Sequence, residues 1–252
     1  MTRIALITGA GGTGIGATTA RVLAEEGYRV VASDLDAAAA EAVALSLPGE
    51  GHRAFRLDVA DEDAVIAAFD TIETEIGPVA VLVTAAGTMI APADRRPTIS
   101  DMATEAWDRT FDVNLRGTFF CVREMLRRRE RDPVPDARMV LISSAAGQTG
   151  GMRGGADYAC SKAAVIALSK SAAREAAPLG MTVNNIAPGP ISTPLYHAIV
   201  NKEMEAQMIA SQPIRRMGQP REIADMVAYL VSEKAGYITG STVDVNGGSR
   251  MQ

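Results

Sequence analysis

The chain has 252 residues, 47% of them hydrophobic and 22% charged, with a formal net charge of −5. That apolar content is ample for one continuous core, and the acidic balance leaves no basic face of the size that nucleic-acid or anionic-membrane binding demands, so a small molecule is the expected partner. The two cysteines, Cys121 and Cys160, make neither a disulfide framework nor a metal-ligand cluster. They fit a reducing compartment, and with no apolar run of membrane-spanning length and no signal-peptide core after Met1 the expectation is a cytoplasmic protein.

Ile4 to Thr8 reads as a short buried strand, followed by Gly9-Ala10-Gly11-Gly12-Thr13-Gly14-Ile15-Gly16 and a helical pattern from Ala17 to Glu26. Five glycines within eight residues, set between a strand and a helix, let backbone N–H groups approach a pyrophosphate at the positive end of the helix. A second strand, Tyr28 to Ser33, ends at Asp34, 25 residues after Gly9. A carboxylate there accepts hydrogen bonds from a free adenosine 2′-OH and repels a 2′-phosphate, and Leu35 offers no phosphate clamp, so the cofactor expected is NAD(H) rather than NADP(H). The alternative role for Asp34 is to cap the helix that begins near Asp36.

An alanine-rich helix to Ser46, a strand Ala54 to Leu57 ending in Asp58-Val59, and a helix from Asp61 to Ile76 continue the alternation. Val79 to Val83 is a buried parallel strand closed by Thr84-Ala85-Ala86-Gly87, small residues that let backbone lie against something flat. A loop from Thr88 to Ala103 precedes one long helix, about Thr104 to Glu130, with Asn114 and Gly117 in its middle. Its largely apolar surface suits burial on more than one side, a subunit contact included. Arg127-Arg128-Arg129 complements the helix C-terminus and reads as a solvated end.

Met139 to Ile142 is a fifth strand ending in Ser143-Ser144, where functional residues of open α/β sheets gather. After a glycine-rich loop the next helix carries Tyr158 and Lys162, which share one face at i and i+4. A positive charge about 4 Å from a phenolate, at an effective dielectric of about 20, is worth about 4 kcal/mol, or about 3 pKa units. That would make Tyr158 an acid and base usable near neutrality. Met181 to Ile186 is a sixth strand and Pro188 to Pro194 a stiff turn. Leu195 to Met217, with Met204, Met208 and Ile209 at helical spacing, reads as an amphipathic lid over about 194–217. A helix from Pro220 to Ser232 and a last strand, Thr242 to Val245, complete one 252-residue unit. Arg153 is either an anchor for an anionic substrate or a solvated loop arginine. His52 and His197 lack partners at ligand spacing, so no metal is expected.

Taken together, Thr8-Gly9 through Gly16, Asp58-Val59, Ala86-Gly87, Asn114-Leu115, Ser143-Ser144, Tyr158 to Lys162, Asn185 to Thr193 and Gly240 to Gly248 resemble the short-chain dehydrogenase/reductase family over essentially the whole chain. The resemblance implies a single-domain, Rossmann-type, doubly wound α/β fold with a seven-stranded parallel sheet and helices on both faces, assembled as a homotetramer or homodimer through two long central helices. It implies Tyr158 as catalytic acid/base, Lys162 lowering its pKa and touching the nicotinamide ribose, Ser144 holding the substrate oxygen, and Asn114 supporting a water-linked proton path. By the same resemblance Asp58 and Val59 meet the adenine, Ala86, Gly87, Pro188 and Gly189 lie against the cofactor, and Ile191 and Thr193 bind the carboxamide.

Three features depart from the family pattern. The glycine loop is one residue longer than Thr-Gly-x-x-x-Gly-x-Gly, so either Gly11 or Gly12 is the extra residue. The spacing from Ser144 to Tyr158 is fourteen rather than thirteen, which leaves Ser143 as an alternative to Ser144. Thr84-Ala85-Ala86-Gly87 stands where Asn-Asn-Ala-Gly is frequent. The expected activity is NAD(H)-dependent interconversion of a secondary alcohol and a ketone. The alternatives are a dihydrodiol dehydrogenase or acyl-carrier ketoreductase of the same family and, in a different class, a protein that senses NADH without turnover.

Overall fold

The computed structural model describes residues 2–91, 97–151 and 155–251. Seven strands, β1 (Ile4–Thr8), β2 (Arg29–Asp34), β3 (Arg53–Arg56), β4 (Val79–Thr84), β5 (Arg138–Ile142), β6 (Thr182–Pro188) and β7 (Thr242–Val245), form one sheet in the order β3-β2-β1-β4-β5-β6-β7. Every pairing is parallel. The chain winds outward from β1 to β3, then crosses back to β4 and winds the other way. The C-terminal ends of β1 and β4 therefore diverge their connections and leave a crevice between them.

Strand residues alternate between two apolar layers, as a period of two requires. Leu6, Val31, Leu82, Met139 and Val183 pack with Val65, Phe69 and Ile72 of α3 (Glu62–Glu75) and with Val165 and Ala172 of α7 (Ala156–Ala176). On the other face, Ala5, Ile7, Val30, Val81 and Val140 pack with Ala20 and Leu23 of α1 (Ile15–Glu25) and Val43 of α2 (Ala37–Ser46). Ile223, Val227 and Leu230 of α10 (Pro220–Val231) complete that layer. Among the described residues no helix is long and apolar enough to cross a membrane.

Two expectations need correction here. The long helix is not continuous: α4 (Thr104–Phe111) and α5 (Gly117–Arg131) are separated by a π-helical turn, Asp112–Arg116. The extra residue per turn changes the helix register, and Asn114 within it is 0% exposed. Gly117 follows because the backbone lies so close to β3's end that a Cβ there would sit 2.7 Å from Val59 Cγ2. Nor is the arginine run a solvated end. Arg127 is, but Arg128 is 8% and Arg129 1% exposed. Arg129 donates to Glu73 Oε1 at 2.6 Å and to the Val79 carbonyl at 3.0 Å, and Arg128 Nε donates to Glu124 Oε1 at 2.9 Å. The carboxylate of Glu73 comes from α3, so the pairing depends on a contact between elements that no local reading of the run contains.

Candidate functional site

The glycine loop leaves β1 and enters α1 across the crevice. Gly9 has φ +65°, and a Cβ on it would fall 2.6 Å from Ala86 Cα; a Cβ on Gly16 would collide with the Gly9 carbonyl oxygen. These two glycines let strand, loop and helix pack against each other. Gly11 and Gly12 divide by environment. Gly11 N–H donates to Asp34 Oδ2 at 2.8 Å, and a Cβ there would lie 2.8 Å from Asp34 Cγ. Gly12, at φ +72°, faces open space, as does Gly14, and Thr13 between them is exposed. Gly14 is the N-cap of α1 and provides no side-chain cap for the first turn. Backbone N–H groups with a helix dipole behind them thus face an open site suited to an anion.

Asp34 stands at the end of β2 beside that loop, and its Oδ1 accepts from Asp36 N–H at 3.1 Å. The cap of α2 is Asp36, whose Oδ1 accepts from Ala39 N–H at 3.1 Å; Asp34 does not serve as that cap. Asp58 lies at the same edge, since Leu57 N–H donates to the Asp34 carbonyl at 2.8 Å, and its Oδ1 accepts from Ala60 N–H at 3.0 Å. Val59 is buried beneath Gly117. At the end of β4, Thr8 Oγ1 accepts from Ala86 N–H at 3.2 Å and joins the two diverging strands, while Thr84 Oγ1 is buried with no hydrogen-bond partner among the described residues.

The two serines at the end of β5 differ in their partners. Ser143 is consumed by the sheet: its hydroxyl donates to the Ile186 carbonyl at 3.0 Å and accepts from Asn185 Nδ2 at 2.7 Å. Ser144 instead lines the cleft together with the Tyr158 phenol and accepts from Ala146 N–H at 3.1 Å, within the first turn of the short helix α6 (Ala146–Thr149). Lys162 Nζ donates to the Ile142 carbonyl at 3.0 Å and lies 5.9 Å from the Tyr158 ring centroid. Asn114 Oδ1 accepts from Thr88 N–H at 2.7 Å, and its Nδ2 donates to the Thr88 carbonyl at 2.9 Å and to Ser161 Oγ at 3.1 Å. Between Asn114 and Lys162 stands Gly87, where a Cβ would be 3.3 Å from Asn114 Oδ1 and 3.4 Å from Lys162 Nζ.

The expected lowering of the phenol pKa is corrected by burial. Desolvation pushes Tyr158 above its ordinary value, with the Ser144 hydroxyl opposing it, and desolvation pulls Lys162 down to about 8. The spacing placed the two groups on one helix face but carried no information about how far from water that face would lie.

These groups open into a cleft of about 230 Å³, lined by Ser144, Tyr158, Lys162, Gly87, Pro188, Gly189, Ile191 and Thr193 and, from α1, by Ile15. Its far side is apolar: Leu195, Tyr196, Ile199, Val200 and Met208 come from α8 (Pro194–His197), α9 (Lys202–Ser211) and the turn between them. Thr193 caps α8 by accepting from Tyr196 N–H at 3.3 Å, and Ile191 bridges to Gly218. A Cβ on Gly189 would lie 2.7 Å from Asn246 Cα, and Ala145 N–H donates to the Pro188 carbonyl at 2.9 Å, tying this turn to the serine strand. Of the apolar trio at helical spacing in α9, only Met208 is buried. Met89 and Ser249 also line the cleft; only the fold brings them there, and nothing in their local sequence marks them. Arg153 lies outside the described residues, and among those described no group of three metal-ligating side chains occurs.

A family model described as enoyl-(acyl carrier protein) reductase matches residues 9–250. The chain belongs to the short-chain dehydrogenase/reductase family. Relatives in that family include a 3-oxoacyl-(acyl-carrier-protein) reductase of Staphylococcus aureus, 40% identical over 100% of this chain and 99% of that protein. A cis-4-hydroxycyclohexanecarboxylate dehydrogenase of Sinomonas cyclohexanicum is 38% identical over 98% of this chain and 96% of its own length. Among solved structures, a 3-oxoacyl-(acyl-carrier protein) reductase from Brucella melitensis with bound NAD superposes with a TM-score of 0.88 at 35% identity, covering 99% of this chain and 92% of that one. As a family member the chain is an oxidoreductase with the family's Rossmann-type sheet.

Proposed function

We propose that the protein interconverts a secondary alcohol and a ketone with NAD(H), Tyr158 serving as acid and base. The observation that carries this reading is the grouping of the Ser144 hydroxyl and the Tyr158 phenol with the buried ammonium of Lys162 in one largely apolar cleft. The residues fit a dinucleotide. The open backbone at Gly12, Thr13 and Gly14 ahead of α1 suits a pyrophosphate, Asp34 and Asp58 share the edge where an adenosine would lie, and Ile191 and Thr193 border the cleft where a carboxamide would lie. Bound NAD⁺ supplies the hydride acceptor, and NADH the donor.

The chain's own groups handle the oxygen. Ser144 Oγ donates a hydrogen bond to the substrate oxygen and stabilises its developing negative charge. Tyr158 Oη takes the hydroxyl proton in oxidation and returns it in reduction. Because burial alone pushes the phenol pKa upward, the positive charge of Lys162 matters most when the phenolate forms. Asn114 holds Thr88, Gly87 and Ser161 around Lys162 rather than bonding the ammonium.

The lid reading of α8 and α9 is supported by their apolar lining residues, which favour an uncharged aliphatic or alicyclic body on the ketone. A 3-oxoacyl chain on an acyl carrier satisfies the same wall, and the S. aureus relative supports it as the second reading. A homodimer or homotetramer is favoured by Trp107, 36% exposed and stacked on Phe111, together with Phe119, 39% exposed on α5. The unpaired cysteines fit a reducing, cytoplasmic setting.

The test is NADH oxidation followed by absorbance against 2-alkanones, substituted cyclohexanones and a 3-oxoacyl thioester. Turnover of at least one ketone is expected. Tight NADH binding with no turnover of any would replace this proposal with NADH sensing.

A further inference from the structure

His197 takes no part in the chemistry proposed above, yet both of its ring nitrogens are engaged. Nε2 lies 3.0 Å from Ser192 Oγ, and Nδ1 lies 3.5 Å from Glu205 Oε2. Ser192 sits between two cleft-lining residues, Ile191 and Thr193, and belongs to a fixed segment. Its N–H donates to the Gly218 carbonyl at 2.9 Å, Gly218 N–H donates to the Pro190 carbonyl at 3.0 Å, and Ile191 pairs with Gly218. Glu205 lies in the first turn of α9, three residues before Met208, the one buried residue of that helix. His197 therefore links the anchored turn to α9 across α8, whose Leu195 and Tyr196 line the cleft, as do Ile199 and Val200 just beyond it. The ring of Tyr196 meets that of His197 edge-on at 5.4 Å.

Resting on the alcohol/ketone reading of the site, we propose that His197 is a positioning residue that clamps α8 and α9 over the cleft, and so sets the affinity for the substrate's apolar body without touching the reacting atoms. The chemistry of imidazole suits the task. In the neutral ring Nε2 can accept from the Ser192 hydroxyl, while Nδ1 stands 3.5 Å from Glu205 Oε2, an ion pair once the ring is protonated. In the protonated ring both nitrogens donate, and the Ser192 oxygen accepts. The Ser192 link is available in either state, and the Glu205 ion pair adds to it in the protonated one.

The half-exposed setting keeps each link modest, so the effect expected is a shift in lid population rather than a loss of folding. His197→Ala should raise KM for the best ketone about fivefold, the effect of one such link. Its kcat and NADH Kd should stay within about twofold of wild type. His197→Gln, which keeps a donor and an acceptor, should restore most of the KM. Glu205→Gln should raise KM less, and adding His197→Ala to it should bring less than the sum of the separate changes. A purely structural role would lower kcat and the melting temperature together and show no rescue by Gln. Independently of any turnover, amide hydrogen exchange across residues 194–211 should quicken in His197→Ala while exchange in the sheet holds. Unchanged exchange there overturns the clamp, even if the ketone reading stands; quickened exchange in an enzyme that reduces no ketone keeps the clamp and removes the reading of the site.

Discussion

Asn114→Ala separates support of the site from participation in its chemistry. The side chain is fully buried and makes three hydrogen bonds, two to the backbone of Thr88 and one to Ser161 Oγ. At about 1 kcal/mol net for each bond, the truncation costs about 3 kcal/mol. For a chain of this size that is a fall in melting temperature of roughly 6–12 °C. Thr88 follows Gly87 directly, and Gly87 is wedged between Asn114 Oδ1 and Lys162 Nζ, so loosening that backbone also loosens the ammonium. The assay pairs thermal unfolding with steady-state ketone reduction. The expected result is a lower melting temperature together with a partial loss of kcat. A melting temperature within about 2 °C of wild type with activity abolished would refute this reasoning and assign Asn114 a direct role in proton transfer.

Asp34→Ala should shift the ratio of kcat/KM for NADH over NADPH toward NADPH by at least tenfold, since it removes the carboxylate facing a 2′-phosphate; an unchanged ratio would place discrimination elsewhere. It should also cost about 1 kcal/mol of stability through the lost Gly11 bond. For Lys162 the sign follows from protons bound. Its native pKa of about 8 lies below the unfolded value near 10.4, so between these values the unfolded state holds more protons and stability rises with pH. Relative to Lys162→Met, wild type should gain about 2 kcal/mol in urea unfolding between about pH 7.5 and pH 10. A flat difference would mean that the ammonium is solvated.

The strands and the glycine loop were legible because each rests on local pattern, whereas the doubly wound sheet was implied only by the family resemblance. Buried runs such as Val79 to Val83 and the glycines between Thr8 and Ala17 allow few other conformations. The different partners of Ser143 and Ser144 were not legible, because they depend on Asn185 of the neighbouring strand, whose Nδ2 donates to Ser143 Oγ. Arg128 and Arg129 looked like a solvated end until α3 supplied Glu73 and Asp70. The π turn at Asn114 has no periodicity of its own, and the cleft's Met89 and Ser249 are assembled by topology alone. Loss of water is likewise a property of the packed molecule, and for that reason the upward push on Tyr158 could not be read from its spacing to Lys162.

The central claim is that Tyr158 carries the proton, and Tyr158→Phe tests it most directly. The variant removes the hydroxyl and leaves the ring and the backbone of α7 in place. The account predicts a kcat for ketone reduction reduced by a factor of about 10³ or more, with NADH affinity nearly unchanged. Retention of more than about a tenth of wild-type kcat would contradict it.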